Sequence, residues 1–472
     1  MSVPRPDPIA IVIFGASGDL ARRKLLPALF HLHVEGLLPE RVAVVGVART
    51  AMDDDAWRAL AREAADEFCR CEVKDEAWGA FARHLHYEAG GASEPGGLAA
   101  LRSRLDAVEA EEGTGGRRLF YCATPPLAFG DIVGALGETG LHENAAIVIE
   151  KPFGTDLESA RALNAVMHRV FREEQVFRID HYLGKETVQN VLALRFANAM
   201  FEPIWNRRYV DHVQLTVAEA IGIEGRGRFY ERTGTLRDMV QTHLLQVLTF
   251  LAMEPPTAFE ARSLVAEKAK VLRSIPPVRP QDVVRGQYRG YRDEPDVASD
   301  SSVETFVALR LEIDSWRWAG VPFYLRTGKS MREKRAEATV RFRDVPHRVF
   351  ESAGVGEVEP NRLTIRIQPD EGITIRFAVQ RPGVEFVLDR GTLEFDYGEA
   401  FPTPLVEAYE VLLLEAMRGD RTLFTSEEGV ERAWEILAPV LEAPPPVHGY
   451  EPGTWGPVAA DELIAPRSWY VC

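Results

Sequence analysis

The chain has 472 residues, too many for one ordinary hydrophobic core, so two domains are expected. With 46% hydrophobic and 27% charged residues and no apolar run of membrane-spanning length, it reads as soluble and globular, and MSVPRPDPIAIVIFG lacks the basic start and cleavage site of a signal peptide, which favours the cytoplasm. A formal net charge of -16 argues against nucleic acid or an anionic membrane as partner, and makes any local crowding of Lys and Arg informative.

The first part of the chain alternates short apolar runs with helical patterns. IAIVIF at 9–14, VAVVGVA at 42–48, LFYCA at 119–123 and AAIVIE at 145–150 are apolar on both faces, as strands covered by helices on both sides are. Helices are predicted from near Asp19, over 54–70 and near 127–139. This is the pattern of an α/β Rossmann-like doubly wound parallel sheet, assigned to residues 1–175. Cys69, Cys71, Cys122 and Cys472 show neither a disulfide framework nor zinc-ligand spacing, so no metal is expected.

At the first strand-to-helix junction stand Gly15, Ala16, Ser17, Gly18, Asp19 and Leu20. Backbone N–H groups and a helix N-terminus favour a phosphate there, although GxxGxxA departs from GxGxxG and many such turns need glycine for backbone reasons alone. Arg22, Arg23 and Lys24 follow and add positive charge. At the end of the second strand, VVGVART offers Arg49 and Thr50 where a free ribose hydroxyl would want an acid. Arg49 suits a 2'-phosphate, so NADP is preferred over NAD, a solvated loop arginine being the plain alternative. Lys151 directly follows the AAIVIE strand, where ligands bind in doubly wound sheets, and Pro152 restricts the backbone that aims it.

Residues 178–186 read RIDHYLGKE, in which Arg178, Asp180, His181, Tyr182, Lys185 and Glu186 can carry or share a proton. A catalytic pair of Asp180 and His181, an anion pocket and a solvated turn all fit this composition. From about 176 onward the period changes to two, in HVQLTVAEA (212–220), ETFVALRLEI (304–313), NRLTIRIQ (361–368) and GITIRFAV (372–379). Leu363, Ile365 and Ile367 face one side and Thr364, Arg366 and Gln368 the other. Residues 176–472 are therefore assigned to an α+β domain with a large, mainly antiparallel sheet, on which helices at 405–418 and 427–442 would pack. The Pro- and Gly-bearing stretch 274–300 reads as a long connection. His243 lies beside an apolar helical stripe of Val240, Leu244, Leu248 and Leu251, where a histidine is more often structural than catalytic.

Together, GASGDLARRKLLP, EKPFG, RIDHYLGKE, EGRGRFYERTGTLRDMVQTHLLQ, VPFYLRTGKSMREK and GPVAADELI, in that order across nearly the whole chain, resemble the glucose-6-phosphate dehydrogenases. The resemblance implies oxidation of D-glucose 6-phosphate to 6-phospho-D-glucono-1,5-lactone with NADP reduced to NADPH, the first step of the oxidative pentose phosphate pathway; NAD as a secondary acceptor stays open. It implies His243 as the base and Asp180 as the residue that orients it. The cofactor side would comprise the Gly15 to Leu20 turn with Lys24, Arg49, Tyr121 and Lys151. His181, Tyr182 and Lys185 would hold the sugar's phosphate, and Glu219 and Asp238 its hydroxyls. Lys151, Lys329, Lys334 and Gln368 would line the substrate side, although Lys334 lies in the charged run MREKR, where a solvated surface is the default. Asp238 and His243 are five positions apart, about 140 degrees round an α-helix, so Asp238 is not expected to orient this base. The resemblance also implies a homodimer or homotetramer formed through the large sheet. The competing readings are another EKP-containing sugar oxidoreductase of the glucose-fructose oxidoreductase type, and a catalytically silent NADP-binding sensor.

Overall fold

The computed structural model describes residues 4–92, 97–347, 349–350, 359–401 and 406–471. They form two units. The first takes the described residues up to Lys185 together with Thr257–Val265 and Val406–Glu431; the second takes Glu186–Pro256, the described residues from Ala266 to 401, and those from Arg432 onward.

The first unit is built on six parallel strands: β1 (Ile9–Phe14), β2 (Val42–Ala48), β3 (Leu85–Ala89), β4 (Arg118–Cys122), β5 (Ala145–Ile149) and β6 (Val176–Arg178). Their spatial order is β3-β2-β1-β4-β5-β6. The order reverses between β1 and β4, which opens a crevice outside the carboxyl ends of those strands. Every residue of β1 is buried, as its unbroken apolar run requires. The helix Asp54–Phe68 starts where Asp53 accepts the Ala56 N–H at 2.8 Å, and it buries Trp57, Ala61, Ala64 and Ala65 at helical spacing. Trp57 lies so close to β2 that a Cβ at Gly46 would meet its ring at 2.5 Å. β3 and β6 were not anticipated, because LHYEA and VFR are too short and too polar to signal a strand. β6 carries the first sheet past residue 175, where the boundary was expected, and the unit runs on to Lys185.

The second unit holds nine strands: β7 (Val210–Ala218), β8 (Val283–Tyr288), β9 (Phe306–Glu312), β10 (Pro322–Gly328), β11 (Arg335–Phe342), β12 (Arg362–Gln368), β13 (Gly372–Gln380), β14 (Leu388–Asp396) and β15 (Val447–Tyr450). Their order is β14-β13-β12-β11-β7-β10-β9-β8-β15. Neighbours run antiparallel except β7 with β10 and β8 with β15. Tyr230, Tyr288, Tyr291, Phe306 and Tyr450 belong to a core at one end of this sheet.

Three expectations are corrected here. The stretch 274–300 is not a plain connection: it contains β8 and the buried Tyr291, and the strand was hidden because VVRGQY carries a glycine and a charge. The Arg285 charge is met by Glu304 at 2.7 Å. The helix expected at 405–418 appears as Ala408–Arg418 but belongs to the first unit, position 405 lying outside the described residues. Thr364, read as an outward residue of β12, is buried, its hydroxyl 3.0 Å from that of Thr339 on β11. Among the described residues no helix is long and apolar enough to cross a membrane.

Candidate functional site

In the first unit the expected residues gather at the carboxyl ends of β1, β2, β5 and β6, which a parallel sheet brings to one edge. Gly15 ends β1 with φ +85°, and a Cβ there would sit 2.7 Å from the Ala123 carbonyl oxygen, so only glycine fits. Its N–H donates to Val47 O at 2.8 Å, and the Gly18 N–H closes the turn onto Gly15 O at 2.9 Å. Ala16 is buried, while the Ser17 hydroxyl reaches that of Thr50 at 3.3 Å and ties the ends of β1 and β2 together. The following helix opens with π-type winding over Ala21–Leu25, where the Leu26 N–H returns to Ala21 O.

Asp19 and the basic cluster stay exposed and paired: Arg22 with Glu67 at 2.7 Å, Arg23 with Asp19 at 3.9 Å and Lys24 with Glu407 at 2.9 Å. Arg49 is exposed at the end of β2. A tight glycine turn, a helix N-terminus and an exposed arginine on the neighbouring strand fit a dinucleotide bearing a 2'-phosphate.

Tyr121 is wholly buried in β4, and its hydroxyl donates to Glu150 Oε1 at 2.6 Å. It is therefore packed behind the strand ends, where it holds the acid that precedes Lys151. Glu150 also receives the hydroxyl of Tyr409, from the helix Ala408–Arg418. Burial, opposed by these two bonds and by Lys151, pushes the Glu150 carboxyl up to about 7.

RIDHYLGKE forms the end of β6 and the turn after it. Buried Arg178 is structural: it binds Glu173 at 2.8 Å and the Asn164 side chain at 2.9 Å. Asp180 is buried and accepts the Tyr182 N–H at 3.0 Å, so its own side chain folds the turn. His181 lies at 5.1 Å from the Tyr182 ring, and the Lys185 ammonium sits 4.8 Å from that ring's centroid. Imidazole, phenol and ammonium are thus brought into one cluster. Gly184 permits the close approach of the Ala408–Arg418 helix, since a Cβ would meet Ala408 O at 2.7 Å.

In the second unit, topology does the gathering. β7, β10 and β12 point the same way and β11 the opposite way, so Glu219, Lys329 and Gln368 at three carboxyl ends share one sheet edge with Lys334 before β11. Lys329 is buried and ion-paired with Glu219, and its ammonium lies 5.8 Å from the centre of the Tyr230 ring. The Tyr230 hydroxyl is 2.6 Å from that of Thr235. Burial, and next the negative Asp238, hold the Tyr230 phenol well above its ordinary range, so it serves as a neutral group. Lys334 is exposed and Gln368 half-buried.

His243 is buried, and Asp238 half-buried, on a segment that winds as a π-helix over Leu236–Leu244. The Leu245 N–H reaching back to Val240 O marks the wider turn. Here the sequence reading needs correction: the angle of about 140 degrees assumed α-helical winding, whereas i to i+5 bonding brings residues five apart toward one face. Asp238 and His243 are thus closer in direction than predicted.

Sequence reasoning passed over Glu150, Tyr409, Tyr230 and Thr235. Glu150 alone carried a visible signal, an acid closing an otherwise apolar strand.

Comparison with known proteins bears on the whole of this arrangement. Residues 12–190 match the model of the glucose-6-phosphate dehydrogenase NAD binding domain, and residues 192–470 that of the glucose-6-phosphate dehydrogenase C-terminal domain. A glucose-6-phosphate 1-dehydrogenase of Aggregatibacter actinomycetemcomitans is 45% identical over 96% of this chain and 95% of its own length. One from Rhizobium meliloti is 43% identical, over 98% of both. Among solved structures, glucose-6-phosphate 1-dehydrogenase from Mycobacterium avium superposes with a TM-score of 0.89 at 39% identity, over 99% of each chain. A glucose-6-phosphate dehydrogenase in complex with its substrate glucose-6-phosphate superposes with a TM-score of 0.91 at 34% identity, over 100% of each. The chain belongs to the glucose-6-phosphate dehydrogenase family.

Proposed function

We propose that this protein oxidises D-glucose 6-phosphate at its anomeric carbon to 6-phospho-D-glucono-1,5-lactone with reduction of NADP, the first step of the oxidative pentose phosphate pathway. The reading is carried by the match of both family domains across nearly the whole chain. NADP, when bound, supplies the nicotinamide that accepts the hydride from C1.

The remaining tasks fall to the chain's own residues. His243, as a neutral imidazole, takes the proton of the anomeric hydroxyl as the hydride leaves, and Asp180 keeps the orienting role that the family motif gives it. His181, Tyr182 and Lys185 offer a phosphate dianion three different donors, two of them able to carry charge. Glu219 and Asp238 accept hydrogen bonds from sugar hydroxyls, and Lys329 donates, with Lys151, Lys334 and Gln368 on the same substrate side. The turn from Gly15 to Leu20 cradles the pyrophosphate, Lys24 adds charge nearby, and Arg49 takes the 2'-phosphate. Tyr121 acts through Glu150. Holding both reactants by their phosphates supplies part of the rate through alignment alone.

Assembly into a homodimer or homotetramer through the large sheet is supported by its β14 edge. Leu393 and Phe395 on that strand are 60% and 37% exposed, an apolar surface that a second copy would cover. A cytoplasmic setting fits a charged sugar phosphate, which membranes retain, and the free thiols of Cys69, Cys71 and Cys122.

Following NADPH absorbance with NADP and either glucose 6-phosphate or glucose tests the reading. Turnover with the phosphorylated sugar far above that with glucose is expected. Equal use of glucose would favour the glucose-fructose oxidoreductase type, and no NADPH with either sugar would favour the silent sensor.

A further inference from the structure

We propose that Glu150 is a positioning residue that takes up a proton when the sugar phosphate binds, leaving the Lys151 charge to the ligand. The proposal rests on the reaction assigned above.

Glu150 closes β5, immediately before Lys151. Its carboxylate is held by residues of the first unit. Tyr121 from β4 donates to it at 2.6 Å, and Tyr409 from the helix Ala408–Arg418 donates as well. Lys151 on its own strand end and Asp180 in the turn after β6 also act on it, and Glu407 faces Tyr409. Glu407 is itself engaged by Lys24 at 2.9 Å. The group therefore has two hydroxyl donors, a neighbouring cation in Lys151 and a neighbouring carboxylate in Asp180.

A half-buried carboxylate held by two tyrosine hydroxyls, next to a lysine and near a second carboxylate, is finely balanced between its two forms. With burial pushing it up to about 7, it exchanges its proton near neutral pH. The phosphate cluster of His181, Tyr182 and Lys185 lies in the same turn as Asp180, at the same edge of the sheet. A phosphate dianion arriving there adds negative charge at the sheet edge that also carries Glu150, whose carboxyl is already inclined to be neutral. Proton uptake from solvent by Glu150 removes one negative charge beside Lys151, so that more of the lysine's field acts on the ligand. On product release the proton returns to solvent. Both tyrosines hold the carboxyl in place in either state, so no side chain has to move.

The full-length enzyme tests this in two ways. Calorimetry of glucose 6-phosphate binding without NADP, in buffers of different ionisation enthalpy near neutral pH, counts the protons taken up. Wild type is expected to take up a fraction of a proton that Glu150→Gln loses. Separately, the KM for glucose 6-phosphate is expected to rise as pH passes through the Glu150 transition, by at most about tenfold per pH unit. In Glu150→Gln that rise is absent. Tyr409→Phe removes a donor that favours the carboxylate, so the rise moves to higher pH. A purely structural role would lower stability or kcat in both variants while leaving the pH dependence of KM as in wild type, and that result overturns the proposal. At about pH 7.5, where a phosphate monoester with a second pKa of about 6 is already almost wholly the dianion, a wild-type enzyme that takes up no proton also overturns it, even where Glu150→Gln fails to fold. Absence of NADPH formation by wild type would instead contradict the assigned reaction.

Discussion

Lys329 and Glu219 form an ion pair at the carboxyl ends of β10 and β7, two strands that run parallel inside a mainly antiparallel sheet. Antiparallel pairing would have sent these ends to opposite edges. The buried ammonium, 3% exposed, is compensated by Glu219 and remains able to donate to a sugar oxygen. Lys329→Met should remove a charge-assisted donor worth about 1.5–3 kcal/mol, a rise of roughly tenfold to a hundredfold in KM for glucose 6-phosphate. Steady-state kinetics with KM within a factor of about two of wild type would count against the assignment.

Gly234 bends the chain just before the π-helical segment that carries His243. Its φ is +62°, and a Cβ there would lie 2.5 Å from Glu304 Oε1. That oxygen accepts the Leu236 N–H at 3.0 Å, while the other carboxylate oxygen binds Arg285 at 2.7 Å. Gly234→Ala is expected to cost on the order of 2–4 kcal/mol, through the left-handed backbone and the displaced carboxylate together. Urea unfolding reads this directly, and an unchanged midpoint would refute it.

Glu150 also leaves a mark on stability. Its carboxyl has an ordinary value of 4.5 and is pushed up to about 7 in the fold. Between those values the folded chain binds more protons than the unfolded one, so this residue's contribution falls as pH rises through the window and levels off above it. The loss amounts to about 3 kcal/mol. Glu150→Gln should therefore gain stability relative to wild type on going from acid to mildly alkaline pH. Parallel stability curves for the two proteins would contradict the half-buried, proton-binding carboxyl.

Arg49→Ala should raise the KM for NADP by about tenfold or more, a lost charge-assisted contact to phosphate, with little change for NAD. Equal effects on both cofactors would exclude contact with the 2'-phosphate.

These residues also show where sequence patterns stop. β1, β2, β4 and β5 were legible because strands buried on both faces must be apolar throughout. The same logic failed for β8, where Gly286 packs against Phe306 and Arg285 is neutralised by Glu304, both partners lying further along the chain. Tyr409 gave no sign of reaching Glu150, since nothing local tells a helix that it belongs to the first unit. The directions of Asp238 and His243 were misjudged because side-chain periodicity cannot reveal one widened turn within a helix. Motif identity, by contrast, was readable throughout, and both family domains match where the motifs lie.

The most direct test is the kinetics of His243→Asn with glucose 6-phosphate and NADP. Loss of the base should lower kcat by on the order of a hundredfold to ten-thousandfold, with little change in the KM for the sugar phosphate. A variant that retains near-normal turnover would contradict the account.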